Sequence, residues 1–172
     1  MSEETDEHRS LAESQSVRCG VLTISDTRTK ADDKSGRHII DALAAADHTV
    51  AKYEIVRDEP DQIEGKLRTW LSDPSIDVIC TTGGTGMARR DTTVEVVRRL
   101  IDKELEGFGE LFRMLSWQQV QAAAMLTRAI AGLAQDKFIF AMPGSANAVS
   151  LAMTELIVPE LKHLVWQRTM EQ

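Results

Sequence analysis

The chain has 172 residues, 42% of them hydrophobic and 27% charged, and a formal net charge of −7. That length and balance fit one soluble globular domain rather than a fibrous or disordered chain. The negative charge argues against binding a polyanionic nucleic acid, which takes clustered Lys and Arg. No apolar run reaches the roughly eighteen residues of a membrane span.

Residues 1–15, MSEETDEHRSLAESQ, are polar and acidic. They carry too little apolar surface to offset the entropy of ordering, so a flexible acidic tail is expected ahead of a single domain over 16–172. The tail lacks the basic and apolar regions of a signal peptide, and a cytoplasmic location is expected. From Val17, VRCGVLTI is a nearly continuous apolar run with β-branched residues, the pattern of a buried strand. The polar stretch SDTRTKADDKSG after it is too long for a tight turn and reads as a functional loop. Ser35 is placed to cap a helix whose apolar positions are Ile39, Ile40, Leu43 and Ala46. TVAKYEIV reads as a second strand, and Pro60 then stands at a first helical position, with Ile63, Leu67, Trp70 and Leu71 along one face. Trp70 is a core residue on this reading. Residues 76–81 form a third strand, followed by the loop TTGGTGMARRDTTVE and a helix marked by Val96, Val97, Leu100 and Ile101.

A further helix starts near Gly107 with Phe108, Leu111, Phe112 and Leu115 on one face, and QQVQAAAML continues it. RAIAGL and FIFAM, joined by AQDK, predict a strand pair, and PGSANAV leads into a final helix interrupted or restarted at Pro159. The strand–helix alternation predicts an α/β fold, a three-layer sandwich with a mostly parallel central sheet and helices on both faces. Ligands of such sheets bind outside the carboxyl ends of the strands.

The chemistry gathers at those ends. Gly83, Gly84 and Gly86 permit positive φ and close backbone approach, so successive N–H groups can face a phosphate, and a side chain at Gly84 would fill that space. The loop is neither a Walker A motif nor the G-x-G-x-x-G of a dinucleotide fold; the competing reading is a tight strand-to-helix turn. Thr92 and Glu95 fit a capping box, which leaves Asp91 spare at the ligand end. Asp91 then either complements the helix dipole or pairs with Arg89 or Arg90, or it holds Mg²⁺ beside bound phosphates. Asp26 and Asp58 fall at the ends of the first two strands, Asp58 doubling as a possible helix cap. Pro143, Gly144 and Ser145 form a third loop of the same kind. Cys19 and Cys80 lie in strand-like runs without a C-x-x-C pair and read as buried free thiols; the four histidines are scattered and suggest no metal site.

Taken together and in order, TISDTRTKADDKSG, TTGGTGMARRDTTVE, EGFGELFRMLS and AMPGSANAV resemble the MogA/MoaB family of molybdenum cofactor biosynthesis, also found as the G domain of gephyrin-type proteins. The likeness runs from about Val17 to Val165, and EGFGELFRMLS with the short C-terminus looks more like the MoaB branch. It implies a molybdopterin-binding α/β sandwich, usually a homotrimer or trimer-based oligomer. It also implies Mg²⁺- and ATP-dependent adenylylation of the terminal phosphate of molybdopterin, with release of pyrophosphate. Catalytic and metal-holding roles would fall to Asp58 and Asp91. Phosphate and pterin binding would fall to Ser25, Asp26, Ser35, Gly36, Gly83, Gly84, Thr85, Gly86, Pro143, Gly144 and Ser145. Val94 stands where the family often has proline, and Thr127 where Ser-Arg is common. Phe108, Phe112 and Trp117 are expected to supply apolar surface for assembly. The alternative within the same family is a non-catalytic protein that stores, delivers or senses molybdopterin in the same pocket.

Overall fold

The computed structural model describes residues 16–170, so the acidic stretch expected to be a tail lies outside the described residues. In chain order the elements are β1 (Arg18–Ile24), α1 (Lys34–Ala45), β2 (Thr49–Val56), α2 (Pro60–Leu71), β3 (Val78–Thr82), α3 (Thr93–Leu100), β4 (Lys103–Glu104) and α4 (Glu106–Val120). A 3₁₀ segment (Gln121–Leu126) leads to β5 (Ile130–Ala134), β6 (Lys137–Met142), α5 (Ala146–Ala152), a widened turn (Met153–Ile157) and α6 (Val158–Met170). The strands form one sheet in the order β2-β1-β3-β6-β5-β4. β2, β1, β3 and β6 run parallel, whereas β5 is antiparallel to β6 and β4 antiparallel to β5.

Alternation along the strands splits the core between the two sheet faces. Val21, Cys80 and Phe140 pack on one side with Leu43 of α1, Phe112 of α4, Val149 of α5 and Leu161 of α6. Leu22, Ile79 and Ile139 pack on the other with Leu67 and Trp70 of α2 and Val97 of α3. Helices therefore cover both faces, and Trp70 is a core residue, 1% exposed. Both cysteines are buried and free, and burial pushes the Cys80 thiol up to about 12. Among the described residues no helix is long and apolar enough to cross a membrane.

Several expectations change in detail. The helix after the first loop is capped by Asp33, whose carboxylate accepts from the Gly36 amide, and not by Ser35. An aspartate two residues earlier fits the N-cap geometry as well as a serine does. The α-helical continuation of QQVQAAAML fails at Gln121, where φ of 52° breaks the helix, and the chain goes on as a 3₁₀ turn. β4 escaped detection because two exposed residues, Lys103 and Glu104, show no periodicity. Before Pro159 the Val158 amide reaches back to the Met153 carbonyl, a five-residue step. Proline has no N–H and its ring crowds the carbonyl four residues back, so a widened turn lets the helical run pass it. Finally, Phe108 and Phe112 face the protein's own core, and the exposed apolar strip consists instead of Leu111, Met114, Trp117 and Val120, followed by Met125 and Leu126.

Candidate functional site

From β1 the chain moves out to β2, and from β3 it moves the other way, so the strand order reverses between β1 and β3. A crevice opens at such a point because the two connections leave to opposite sides. β6 lies beside β3 in the same direction, which brings its following loop to the same edge. Three loops predicted separately thus converge: Ser25 and its neighbours after β1, Gly83–Gly86 after β3, and Pro143–Gly144 after β6. They border a cleft of about 490 Å³. Arg28 and Thr23 line one side of it, and Leu126, Thr127 and Arg128 close the other.

The glycine loop is a demanding piece of backbone. Gly83 and Gly84 have φ of 100° and 63°, a region other residues enter at a cost. A side chain on Gly83 would strike the Ile24 carbonyl, and one on Gly84 would strike the Thr93 hydroxyl and lie 2.9 Å from Asp58 Oδ1. The space beside Gly84 is thus protein, not the phosphate space that the sequence suggested. The glycine is what lets Asp58 and Thr93 close in behind the loop.

Asp58 does not cap α2: Glu59 occupies the cap position, and no side chain makes that bond. Its amide donates to Asp26 Oδ1 at 3.1 Å, and the other Asp26 oxygen pairs with Arg90. Asp58 Oδ1 is buried and has no hydrogen-bond partner among the described residues. Burial first, and the nearby Asp91 charge second, push the Asp58 carboxyl above its ordinary value, with Arg90 opposing them. Asp91 lines the cleft and accepts from the Ala88 amide at 3.0 Å, closing a turn within its own loop. The expected capping box is absent: Thr92 makes no side-chain cap bond, and Glu95 turns to Arg128 instead.

Among the described residues no group of three or more His, Cys, Asp or Glu could hold a metal ion. The fit to Mg²⁺ rests on two carboxylates. Mg²⁺ is commonly held by one or two carboxylates, with waters and substrate phosphates completing the shell. An unpartnered oxygen on Asp58, in a setting that disfavours its charge, is a donor suited to a cation.

Of the remaining predicted residues, Ser25, Thr85, Gly86, Pro143 and Gly144 line the cleft, and Ser145 caps α5 through the Ala148 amide. Ser35 and Gly36 stand one layer back. Ser35 donates to the Gly144 carbonyl at 2.7 Å, and Gly36 donates to Asp33. Sequence reasoning missed the groups that organise this side. Asp33 accepts from Thr23, from Tyr53 at 2.8 Å and from the Gly36 amide. Burial alone would raise its pKa, yet these bonds and Arg28 together hold it below the usual carboxylate range. Arg28 in turn donates to Ser35 at 2.9 Å and to the Gly144 carbonyl at 3.4 Å, leaving a fixed cation on the cleft wall. The helix-cap position of Asp33 was a readable signal. Arg128 carries none, because its partners lie 33 to 43 positions away, and Arg28 is fixed to the cleft wall by the distant Gly144 carbonyl as well as by nearby Ser35.

These features define a doubly wound α/β protein with a phosphate-compatible cleft at the strand-order reversal. Residues 20–163 match the family model described as "Probable molybdopterin binding domain". The chain is 52% identical over 161 residues to molybdenum cofactor biosynthesis protein B of Halalkalibacterium halodurans, covering 93% of this chain and 94% of that protein. A crystal structure of a molybdenum cofactor biosynthesis protein B superposes with a TM-score of 0.89 at 46% identity, covering 91% of this chain and 98% of that one. The tungsten cofactor synthesizing protein MoaB of Pyrococcus furiosus gives 0.80 at 39% identity, covering 89% and 97%. The chain belongs to the MogA/MoaB family of molybdenum cofactor biosynthesis proteins, on its MoaB side.

Proposed function

We propose that this protein serves molybdenum cofactor biosynthesis by binding molybdopterin in the cleft and transferring AMP to it from ATP, with Mg²⁺ as the metal and pyrophosphate as the second product. The family match and the names of its relatives support the pathway and the pterin ligand. The observation that carries the reaction is the pair Asp58 and Asp91 beside the glycine loop, like charges held close with one buried oxygen left without a donor. A protein that only stored the pterin has no evident use for that arrangement.

On this reading the terminal phosphate of molybdopterin attacks the α-phosphorus of ATP. A new P–O bond forms, the bond to the β-phosphate oxygen breaks, and pyrophosphate leaves with the electron pair. The nucleophile is already anionic at neutral pH, so no general base is required and the work is positioning and charge neutralisation. The Gly83–Gly86 backbone and the hydroxyl of Ser25 orient phosphate oxygens, while Arg28 offers a fixed positive charge from the facing wall. Asp58 and Asp91 would hold Mg²⁺, which when bound neutralises charge across the phosphate oxygens. A cleft of about 490 Å³ is of the usual size for a small-molecule site. The exposed strip Leu111, Met114, Trp117 and Val120 supports assembly into a homotrimer or trimer-based oligomer.

The test is to incubate the purified protein with molybdopterin, ATP and Mg²⁺ and to follow adenylyl-molybdopterin and pyrophosphate. Both products are expected to accumulate in step. Tight molybdopterin binding with no product would replace the enzyme reading by the storage, delivery or sensing role.

A further inference from the structure

Arg128 sits in the connection just before β5 and divides its guanidinium between the glycine-loop region and α3. Nε donates to the Thr85 carbonyl at 3.0 Å and Nη2 to the Asp91 carbonyl at 2.9 Å. The same group holds the Glu95 carboxylate by two bonds, Nη1 to Oε1 at 2.5 Å and Nη2 to Oε2 at 3.2 Å. Thr85 and Asp91 are the two ends of a loop whose intervening residues, Gly86 to Arg90, are all exposed. One side chain therefore pins both ends of a solvent-facing loop, and it ties them to Glu95 on α3 and to the sheet that carries β5. Inside the loop, the only hydrogen bonds among those described join Asp91 and Ala88: the Ala88 amide to the Asp91 carboxylate and the Asp91 amide to the Ala88 carbonyl. A rigid planar fork can serve several acceptors at fixed angles, whereas an ammonium on a flexible stem cannot.

We propose that Arg128, oriented by Glu95, is a positioning residue that fixes the backbone of the Thr85–Asp91 loop and thereby the place of the Asp91 carboxylate relative to Asp58. Its bearing on Mg²⁺ and ATP rests on the functional reading above; the clamp itself does not. Glu95 is thus accounted for: the residue that the sequence assigned to a capping box serves as the anchor of this fork.

The test compares the full chain with Arg128→Ala, Arg128→Lys and Glu95→Gln in two ways. In the ligand-free protein, trypsin cleavage after Arg89 and Arg90 reports the loop directly. It is expected to quicken by about tenfold or more in Arg128→Ala, by less in Glu95→Gln, and not to be restored to the original rate by Arg128→Lys, while the thermal midpoint stays close to that of the unmodified protein. Binding of Mn²⁺ in the presence of ATP, followed by electron paramagnetic resonance, is expected to weaken by about tenfold or more in Arg128→Ala, the usual scale for losing a group that orients a metal ligand. Unchanged cleavage overturns the proposal. Faster cleavage with unchanged Mn²⁺ affinity overturns it as well, since the loop is then pinned without positioning anything. Full restoration by lysine shows that a point charge suffices and the fork is not the device. If the unmodified protein binds no Mn²⁺ with ATP, the magnesium reading fails and the trypsin comparison alone decides the clamp. If Arg128→Ala does not fold, Arg128→Lys takes its place in both measurements.

Discussion

At Asp58 the chain keeps a buried carboxylate oxygen without a donor, an arrangement that lowers stability until something binds it. The sign of its pH dependence follows from its raised pKa. The stabilising, protonated form is fully present in the fold below the ordinary value of 3.8, and its contribution is lost as the pH rises through the higher folded value. Asp58→Asn is therefore expected to melt at a higher temperature than the unmodified protein at pH 7 without metal, with the gap closing in acid. Added Mg²⁺ with ATP should raise the midpoint of the unmodified protein and not that of the variant. A variant that melts lower at pH 7 would show that Asp58 has a stabilising partner after all. Asp91 differs, since its carboxylate already accepts from the Ala88 amide. Asp91→Asn keeps an acceptor for that amide and removes only charge, so the loop should hold. Adenylyl transfer should fall by about 10²-fold or more, the scale of removing one electrostatic contributor, with molybdopterin affinity little changed. Near-normal turnover would remove Asp91 from the reaction.

The β3–α3 connection shows how an element sets the site. Its two positive-φ glycines bend the chain so sharply that Asp58, Thr93 and the loop share one small volume. Gly84→Ala should lose about 1–3 kcal/mol from backbone strain alone, before the contacts with Thr93 and Asp58 are counted. Its urea midpoint and ligand affinity are expected to drop together. A full-stability variant with weakened binding would restore the simpler picture of a glycine kept clear for phosphate. On the facing side, α1 is joined to the cleft through Asp33, Arg28 and Ser35, which tie β1, β2 and the β6 loop into one hydrogen-bonded block. The two walls thus differ in kind: one carries a cation fixed by Ser35 and the Gly144 carbonyl, the other a glycine loop tied by Arg128 and by the Arg90–Asp26 pair.

On the scale of the whole molecule the exposed strip along α4 asks for a partner surface. Trp117 is 54% exposed and Met125 80%, and several exposed apolar side chains gathered along one helix and the segment after it mark association sites more often than solvent-facing surface. Trp117→Glu is expected to shift the protein from its proposed trimer to a monomer in sedimentation velocity at micromolar concentration; an unmodified protein that already sediments as a monomer would discard the assembly. The order of elements apart from β4, the mostly parallel sheet and the buried Trp70 were legible in the sequence because hydrophobic periodicity is local: each strand or helix announces its buried face within a few residues. The family was legible because four separated motifs occur together. The glycine loop and the neighbouring aspartates were legible as types of residue, though not as an arrangement. Only the tertiary structure decided that Glu95 answers Arg128 and not Thr92, and that Asp58 lies behind Gly84 with an oxygen unpaired. Those contacts join residues some 26 to 37 positions apart, or depend on which of several nearby acceptors a donor reaches first. Such choices are settled by how the sheet brings its loops to one edge, and no local pattern in the chain encodes that distance.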